Sequence, residues 1–180
     1  MTNNGSLNIP KLEELITNDT TEKINDIDKI TDRIYLGDEE AASKFQNLKV
    51  LNIKNVLSIT DSPPKYPDEL QINHKSINFE DTLSVNIIPY LKESIEFIEN
   101  SDKIFIHCSC GVNRSPTIVI GYLMWKTHSS FKQAYNFVQK RRSCIEPSIG
   151  FIKQLKKFEN LLKDNDYNYK NIDDKSINKK

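Results

Sequence analysis

The chain has 180 residues, 37% of them apolar, and its 25 basic and 25 acidic side chains leave no net formal charge. This length fits one domain with a modest core. A zero net charge excludes a global attraction to nucleic acid or to an acidic membrane, so any affinity for an anion must come from a local site.

The three cysteines are too few, and odd in number, for a disulfide framework, which favours a reducing compartment. The N-terminus lacks the basic and then apolar stretches of a signal peptide, and Thr2 excludes N-myristoylation. The longest apolar run, residues 118–125, is far too short to span a membrane. We therefore expect a cytoplasmic protein, with the nucleus as an alternative, and neither a membrane nor a nucleic acid as partner.

Both ends of the chain are polar and have few apolar residues. Residues 1–26 are rich in Asn, Thr and charge, and residues 164–180 are rich in Asp, Asn and Lys. This composition favours mobile, solvated tails over docking segments. It leaves residues 27–163 as the single folded domain.

The first half of this domain predicts strands and helices in alternation. Residues 34–36 and 56–59 are typical of short strands, and residues 72–79 predict another after the turn residues 61–64. Asp38 is a candidate N-cap, and the helix it would begin has an apolar face made of Ala41, Ala42 and Phe45. A second helix is indicated by apolar residues at helical spacing, namely Ile88, Leu91, Ile95 and Ile98.

The second half predicts one central strand, residues 104–106, followed by helices. Residues 118–125 are apolar nearly all round, which is typical of a buried helix. Ser130 and Gln133 fit a capping box for the next helix, and Pro147 with Ser148 opens the last one. Together these elements predict an α/β fold with a mixed central sheet flanked by helices.

The most informative segment, residues 107–116, lies between the buried strand and the buried helix. A loop in this position points several backbone N–H groups and the positive end of the helix dipole at one spot, which favours an anion. Gly111 permits a backbone turn that other residues resist, and Pro116 suits a first helical turn. The sequence therefore predicts an anion-binding loop.

Two side chains of this loop, six positions apart, could bind and attack a phosphate group. Cys108 would lie at its floor, where the same dipoles favour the thiolate, and the planar fork of Arg114 can grip two phosphate oxygens. Ser115 can donate a hydrogen bond to the sulfur, and His107 orders the loop through a ring N–H. The remaining binding groups would be the backbone donors of the residues between them: Ser109, Cys110, Gly111, Val112 and Asn113. The alternative is a buried structural cysteine beside a turn.

These residues resemble the His-Cys-x5-Arg-Ser signature of the dual-specificity phosphatases in the protein tyrosine phosphatase superfamily. Residues 34–37 match the first strand of that family, and its downstream pattern is matched by residues 122–124, Pro147, Gly150, Phe151, Gln154 and Leu155. The resemblance covers about residues 28–163. It implies a protein tyrosine phosphatase-like fold, and no metal or cofactor.

The resemblance also implies a mechanism and substrates. Cys108 would be the nucleophile of a cysteinyl-phosphate intermediate and Arg114 the phosphate-binding arginine. The substrates would be proteins that carry phosphotyrosine and phosphoserine or phosphothreonine, protein kinases among them. Since no kinase-docking domain precedes the motif, the chain resembles the small, atypical members.

Three residues depart from the family pattern. Cys110 stands where the family usually has Ala, Asn113 where Ser is commoner, and Ser148 where Asn is usual. The first two leave the backbone donors in place, so phosphate binding should persist. Ser148 predicts weaker support of the loop.

The expelled alkoxide or phenoxide needs a proton from a carboxylic acid. Asp81 is the candidate, because it follows a predicted strand and the resemblance places the family's acid in this loop. Glu80 and Asp61 are rival candidates, and a turn or helix-capping role is the alternative for Asp81.

Other residues allow two interpretations each. Arg141 and Arg142 would cap the carbonyls at a helix end or, alternatively, contact a second substrate phosphate. Cys110 and Cys144 would be small buried apolar residues or partners that trap an oxidised Cys108. For the whole chain, the alternatives are a phosphatase of phosphoinositides or RNA 5′ ends, and a noncatalytic phosphoprotein-binding module.

Overall fold

The computed structural model describes residues 8–17, 23–24, 26–80, 82 and 84–176. These residues form a six-stranded mixed sheet in the order β1–β2–β3–β6–β4–β5. The strands are β1 (Lys23–Ile24), β2 (Ile27–Lys29), β3 (Ile34–Gly37), β4 (Asn55–Ser58), β5 (Asn73–Ser76) and β6 (Ile104–His107). The first three pair antiparallel, whereas β3, β6, β4 and β5 are parallel. The predicted α/β fold with a mixed central sheet is confirmed.

Helices cover both faces of the sheet. They are α1 (Glu39–Ser43), α2 (Phe45–Val50), α3 (Ile88–Glu99), α4 (Arg114–Thr127), α5 (Phe131–Arg141) and α6 (Ile149–Asp164). Helices α3 to α6 pack on one face around the larger apolar core, and α1 and α2 cover a smaller core on the other. Among the described helices, none has the length and apolar character that a membrane span requires.

Strand β6 and helix α4 run through the centre of the domain. Successive side chains of a strand point to opposite faces, so Ile104 and Ile106 enter the larger core and Phe105 the smaller one. Helix α4 is buried from Ser115 to Met124, as its apolar sequence predicts. The connection between these two buried elements is therefore held rigidly at both ends.

The predicted helix starts are present, with two differences in the elements around them. Asp38 caps α1 and Ser130 caps α5 within a capping box. The helix expected after Asp38 is divided at Lys44, so Phe45 begins a separate helix. Strand β5 is shorter than the predicted residues 72–79. It ends at Ser76, although Ile77 N still donates to Ser58 O of β4 and Ile77 and Phe79 are buried in the core.

Parts of both predicted tails pack on the domain. Leu12 and Ile16, on or beside the 3-10 helix Leu12–Leu15, enter the larger core. At the other end Ile172 is buried, and Tyr167 stacks on His128 with 3.5 Å between ring centroids. The structure differs from the prediction of mobile tails because single apolar and aromatic residues, widely spaced among polar ones, each pack against the core. Residues 1–7, 18–22, 25 and 177–180 of the predicted tails lie outside the described residues.

Candidate active site

Residues 108–113, here called the Cys108 loop, join the end of β6 to the start of α4. Gly111 makes their turn possible, since its φ is +64° and a Cβ atom there would lie 2.4 Å from the carbonyl oxygen of Gly37. Only glycine tolerates both conditions. The loop therefore wraps tightly against the end of β3, in front of the α4 N-terminus.

The loop turns its carbonyl groups outward. Three of them accept hydrogen bonds from neighbouring segments: Ser109 O from Glu39 N (3.3 Å), Gly111 O from Arg142 Nε (2.9 Å) and Val112 O from Glu146 N (2.7 Å). Every described peptide bond is trans, and in a trans peptide the C=O and the following N–H point in opposite directions. The N–H groups of Cys110, Val112 and Asn113 consequently face the inside of the loop, where an anion would accept their hydrogen bonds.

Cys108 lies at the base of this ring of donors. Its side chain is 3% exposed, and its Sγ accepts a hydrogen bond of 3.2 Å from Ser115 Oγ, which belongs to the first turn of α4. Arg114 is half-buried at the rim, where its Nη2 donates to Ser109 Oγ at 2.9 Å. The structure thus brings the predicted nucleophile, guanidinium and hydroxyl together on and beside one loop, an arrangement that suits a tetrahedral dianion.

His107 is fully buried behind the loop. Its Nδ1 lies 3.4 Å from Cys108 O, and its Nε2 lies 2.6 Å from Ser58 Oγ, which in turn lies 2.8 Å from Nε2 of the half-buried His74. Burial lowers the pKa of His107 to about 4, so the ring is neutral at pH 7. A neutral ring that donates from Nδ1 and accepts from Ser58 fits the predicted ordering role. Sequence reasoning missed Ser58 and His74, since only the sheet brings them beside His107.

The side chain of Arg142 has a role that the sequence did not predict. Its Nη1 makes an ion pair of 2.6 Å with Asp28 Oδ2, and the guanidinium also bonds Gly111 O. The helix-end interpretation holds for the backbone of Arg142, whose N–H donates to Val138 O at 2.9 Å as the C-cap of α5. Its guanidinium is buried in the ion pair, so the alternative of a second substrate phosphate is wrong. The side chain of Arg141 also caps a helix carbonyl, that of Phe137 at 3.0 Å. No local signal could have revealed the pair, because Asp28 lies 114 positions away in the sequence.

Comparison with known proteins identifies the family of this chain. The family model described as dual specificity phosphatase, catalytic domain, matches residues 34–161. The chain belongs to the dual specificity phosphatase family. The resemblance identified from the signature is thereby confirmed.

Two curated relatives illustrate the match. MAP kinase phosphatase with leucine-rich repeats protein 1 of Dictyostelium discoideum is 39% identical over 135 residues, which cover 73% of this chain and 16% of that protein. Dual specificity protein phosphatase 9 of Homo sapiens is 32% identical over 140 residues, which cover 75% of this chain and 36% of that protein. The chain thus matches well under half the length of either relative.

Solved structures with the same fold cover a similar share of the chain. The crystal structure of DUSP15 has a TM-score of 0.69 and 29% identity, with 74% of this chain and 86% of that chain covered. The human tyrosine phosphatase-like serine/threonine/tyrosine-interacting protein has a TM-score of 0.68 and 26% identity, with 74% and 95% covered.

Two of the three departures from the family pattern contact each other. Asn113 Oδ1 accepts a hydrogen bond of 2.9 Å from Ser148 N, and Ser148 Oγ accepts one of 3.4 Å from Phe151 N as the N-cap of α6. Ser148 was predicted to support the Cys108 loop less well than the usual Asn. The side-chain amide of Asn113 compensates, because it links the Cys108 loop to the start of α6.

Asp81, the candidate for the family's general acid, lies outside the described residues. Its described neighbours Glu80, Thr82 and Ser84 are exposed, as is the rival Asp61. The exposure of Glu80 and Asp61 gives neither rival a position fixed by packing.

The segments on either side of Asp81 are anchored in the core. Before it, Phe79 is buried and stacks on Tyr90 with 4.8 Å between ring centroids. After it, the buried Gln154 of α6 accepts from Ile87 N at 2.9 Å and donates to Val85 O at 2.8 Å. Gln154, which the sequence singled out only as part of the family pattern, thus holds one end of the segment that contains Asp81 in the sequence.

The prediction that Cys110 and Cys144 are buried apolar residues is wrong, because both are exposed thiols. Residues beside the two cysteines make the contacts between their loops. Gly111 O and Val112 O, which follow Cys110, accept from the Arg142 side chain and from Glu146 N, which flank Cys144. The described residues contain no group of His, Cys, Asp and Glu side chains arranged to hold a metal ion.

Proposed function

We propose that the protein hydrolyses phosphotyrosine and phosphoserine or phosphothreonine in proteins through a cysteinyl-phosphate on Cys108. The observation that carries this proposal is the placement of Cys108 Sγ, which accepts from Ser115 Oγ at the base of the Cys108 loop. A thiolate in that position faces the amides and the guanidinium that would hold the phosphoryl group.

In the first step the sulfur of Cys108 forms a bond to phosphorus while the bond from phosphorus to the ester oxygen breaks. Asp81 donates its proton to the departing alkoxide or phenoxide, which leaves as an alcohol or phenol. The inward N–H groups and Arg114 hold the equatorial oxygens, where charge accumulates in the transition state.

In the second step a water molecule attacks phosphorus and the bond to sulfur breaks. Asp81, now ionised, accepts the proton from the water, and inorganic phosphate leaves. Ser115 donates its hydrogen bond to the thiolate as it forms, which stabilises the departing sulfur. The residues of the chain then return to their starting protonation states.

The substrates and the location are part of the same proposal. The name of the Dictyostelium relative supports protein kinases among the substrates. Three cysteines without a disulfide framework support a reducing compartment, the cytoplasm or the nucleus.

Hydrolysis of p-nitrophenyl phosphate by the full chain tests the activity, with Cys108→Ser as the inactive control. We expect turnover by the parent, none by Cys108→Ser, and a phosphoenzyme that can be trapped by rapid acid quench. Turnover that persists in Cys108→Ser would refute the cysteinyl-phosphate route.

A release assay over phosphopeptides, phosphoinositides and 5′-phosphorylated RNA tests the substrate class. The zero net charge of the chain argues against RNA, so we expect phosphopeptides to be hydrolysed fastest. A faster rate on either of the other classes would replace the protein substrate in the proposal.

A noncatalytic phosphoprotein-binding module is the second candidate, because one relative of the same fold is named an interacting protein. The presence of Cys108, Arg114 and Ser115 on and beside one loop favours catalysis. Phosphopeptide binding without any turnover of p-nitrophenyl phosphate would favour the binding module instead.

A further inference from the structure

A row of three polar side chains crosses the sheet behind the Cys108 loop. His74 lies on the edge strand β5, Ser58 on β4 and His107 on the central strand β6. The Oγ of Ser58 is 2.8 Å from Nε2 of His74 and 2.6 Å from Nε2 of His107. We call these three residues the polar row. Because β4 lies between β5 and β6, the row connects the edge of the sheet to the strand that leads into Cys108.

The inner end of the polar row contacts the backbone of the proposed nucleophile. Nδ1 of His107 lies 3.4 Å from Cys108 O. A carbonyl oxygen only accepts hydrogen bonds, so this contact is a hydrogen bond only when Nδ1 carries a proton. Burial lowers the pKa of His107 to about 4, so at neutral pH the ring has one proton, on Nδ1 or on Nε2. With the proton on Nε2, the lone pairs of Nδ1 and of Cys108 O would face each other.

The proton positions along the polar row depend on one another. Ser58 has a single hydrogen to donate, and each histidine meets its Oγ through Nε2. When His107 carries its proton on Nδ1, its Nε2 accepts the hydrogen of Ser58. The Oγ of Ser58 can then only accept from His74, whose Nε2 must carry a proton. The Tyr66 hydroxyl lies near Ser58 but makes no hydrogen bond with a described residue, so it does not compete for the Ser58 hydrogen.

The opposite direction of these bonds removes a donor from Cys108. His107 would then donate from Nε2 to Ser58, and Ser58 would donate to an unprotonated Nε2 of His74. No hydrogen would remain on Nδ1 of His107 for Cys108 O. A proton on Nε2 of His74 therefore favours the tautomer of His107 that holds Cys108 in place.

The outer end of the polar row is the end that solvent reaches. Ser58 and His107 are fully buried, whereas His74 is half-buried, with its ring edge-on to that of Tyr66 at 5.0 Å between centroids. Burial also lowers the pKa of His74, which favours its neutral ring at neutral pH. A neutral ring that donates from Nε2 keeps that donor when Nδ1 gains a proton. Both charge states of His74 therefore support the same direction of the row.

We propose that His74 is a positioning residue for the nucleophile. By donating from Nε2 to Ser58, it keeps the proton of His107 on Nδ1. His107 then donates to Cys108 O, which fixes the backbone that carries the sulfur. This inference rests on the proposed phosphatase activity and adds a residue, on another strand, that influences its rate.

The tautomer of His107 tests this proposal without turnover. Long-range ¹H–¹⁵N correlation spectra distinguish a ring protonated on Nδ1 from one protonated on Nε2, and the chain has three histidines to assign. We expect the Nδ1–H tautomer of His107 in the parent. His74→Phe keeps an aromatic ring beside Tyr66 but removes the donor, so the Nε2–H tautomer of His107 should become populated. His74→Gln retains a side-chain N–H and should retain the Nδ1–H tautomer.

Turnover of p-nitrophenyl phosphate tests the consequence for catalysis. We expect His74→Phe to lower kcat/KM roughly three- to tenfold, the effect of one lost hydrogen bond, and His74→Gln to recover most of that loss. His128→Phe is the matched control, because His128 is also half-buried but stacks on Tyr167, outside the polar row. The control should have the kcat/KM of the parent.

Ser58→Ala tests whether His74 acts through the polar row. The substitution separates His74 from His107 and should lower kcat/KM in its own right. His74→Phe should then cause no further loss when it is added to Ser58→Ala. Additive losses would show that His74 acts by another route and would overturn the proposal.

Failure of the positioning role and failure of the activity give different results. An Nε2–H tautomer of His107 in the parent, or an unchanged Nδ1–H tautomer in His74→Phe, would overturn the positioning role alone. Equal losses of kcat/KM in His74→Phe and His74→Gln would indicate a packing role and would overturn it too. Absence of turnover in every protein would overturn the proposed function, and the tautomers of His107 would still decide whether His74 controls that ring.

Discussion

The Cys108 loop and the loop that carries Asp81 are held in different ways. The first is described throughout, and its outward carbonyls, its glycine and its asparagine are each fixed by a neighbouring segment. In the second, the contacts with the core lie at the ends, in Phe79 and in the two hydrogen bonds of Gln154. The described residues between those ends, Glu80, Thr82 and Ser84, are exposed.

This difference matches the two tasks that the proposed reaction sets. A site that stabilises a transferring phosphoryl group must hold several donors in place before the substrate arrives, because donors that must reorganise lose much of their effect. A general acid needs only one carboxyl group within reach of the leaving oxygen. Changes in the Cys108 loop should therefore affect binding, stability and turnover together, whereas changes in the second loop should affect mainly turnover.

Removal of the acid should produce the largest effect and separate the two loops most clearly. We expect Asp81→Asn to lower kcat by roughly 10²- to 10⁴-fold, with little change in the inhibition constant of inorganic phosphate. Single-turnover kinetics with p-nitrophenyl phosphate and a phosphopeptide measure the effect. Glu80→Gln is the matched control and should retain most of the activity; unchanged single-turnover rates in Asp81→Asn would remove Asp81 from the mechanism.

The buried ion pair behind the Cys108 loop should give the next largest effect. Arg142→Met leaves the carboxylate of Asp28 buried without a cation, so we expect the free energy of unfolding to fall by about 3–5 kcal/mol. The lost bond to Gly111 O should lower kcat/KM as well. Urea unfolding and p-nitrophenyl phosphate kinetics measure the two quantities.

A second change separates stability from function at this pair. The addition of Asp28→Asn removes the uncompensated charge, so it should restore part of the stability but not the bond to Gly111. We therefore expect kcat/KM to stay low in the double variant. Full recovery of kcat/KM would show that Arg142 supports the fold only.

The sequence predicted which residues meet at the centre of the candidate site and missed many of the contacts that hold them in place. Cys108, Arg114 and Ser115 lie within one short segment, so their spacing and the strand–loop–helix context were enough to bring them together. The pairs Arg142 with Asp28 and His107 with Ser58 join residues far apart in sequence. Such contacts depend on the order of the strands in the sheet, and the spacing of apolar residues along the sequence does not predict that order.

The ends of the chain illustrate the same limit. Composition predicted mobile tails because polar residues dominate both segments. The few apolar residues that pack on the domain are too widely spaced to form the periodic pattern of a helix or a strand. The structure instead buries Leu12, Ile16 and Ile172, one or two anchors in each segment. The surfaces on which these anchors pack are formed by the folded helices, so the local sequence does not reveal them.

Acidification should weaken the fold through His107. The folded pKa of His107 is about 4, below the unfolded value of about 6.5. Between pH 4 and pH 6.5 the His107 ring is therefore protonated in the unfolded chain and neutral in the folded one. The free energy of unfolding should therefore fall as the pH drops through this window, with about 2 kcal/mol lost from this group between pH 7 and pH 5. Urea unfolding at both pH values measures the loss.

His107→Asn supplies the comparison for this prediction, because the difference between the two pH values removes any constant cost of the substitution. The variant should lose clearly less stability on acidification than the parent. Equal losses would assign the pH dependence to other groups, such as His74, whose pKa burial also lowers.

The smallest effect that we predict concerns the exchange between Asn113 and Ser148. Asn113→Ser shortens the side chain that accepts from Ser148 N, so we expect a loss of about 1 kcal/mol in the free energy of unfolding and a several-fold fall in kcat/KM. Ser148→Asn alone should be nearly neutral, because asparagine is as good an N-cap for α6 as serine. The double variant restores the residue pair of the family pattern, so it should recover most of the activity that Asn113→Ser loses. Strictly additive effects in this double-mutant cycle would mean that the residue at one position does not compensate for a change at the other. The backbone hydrogen bond between Glu146 N and Val112 O would then be the contact that holds the Cys108 loop next to α6.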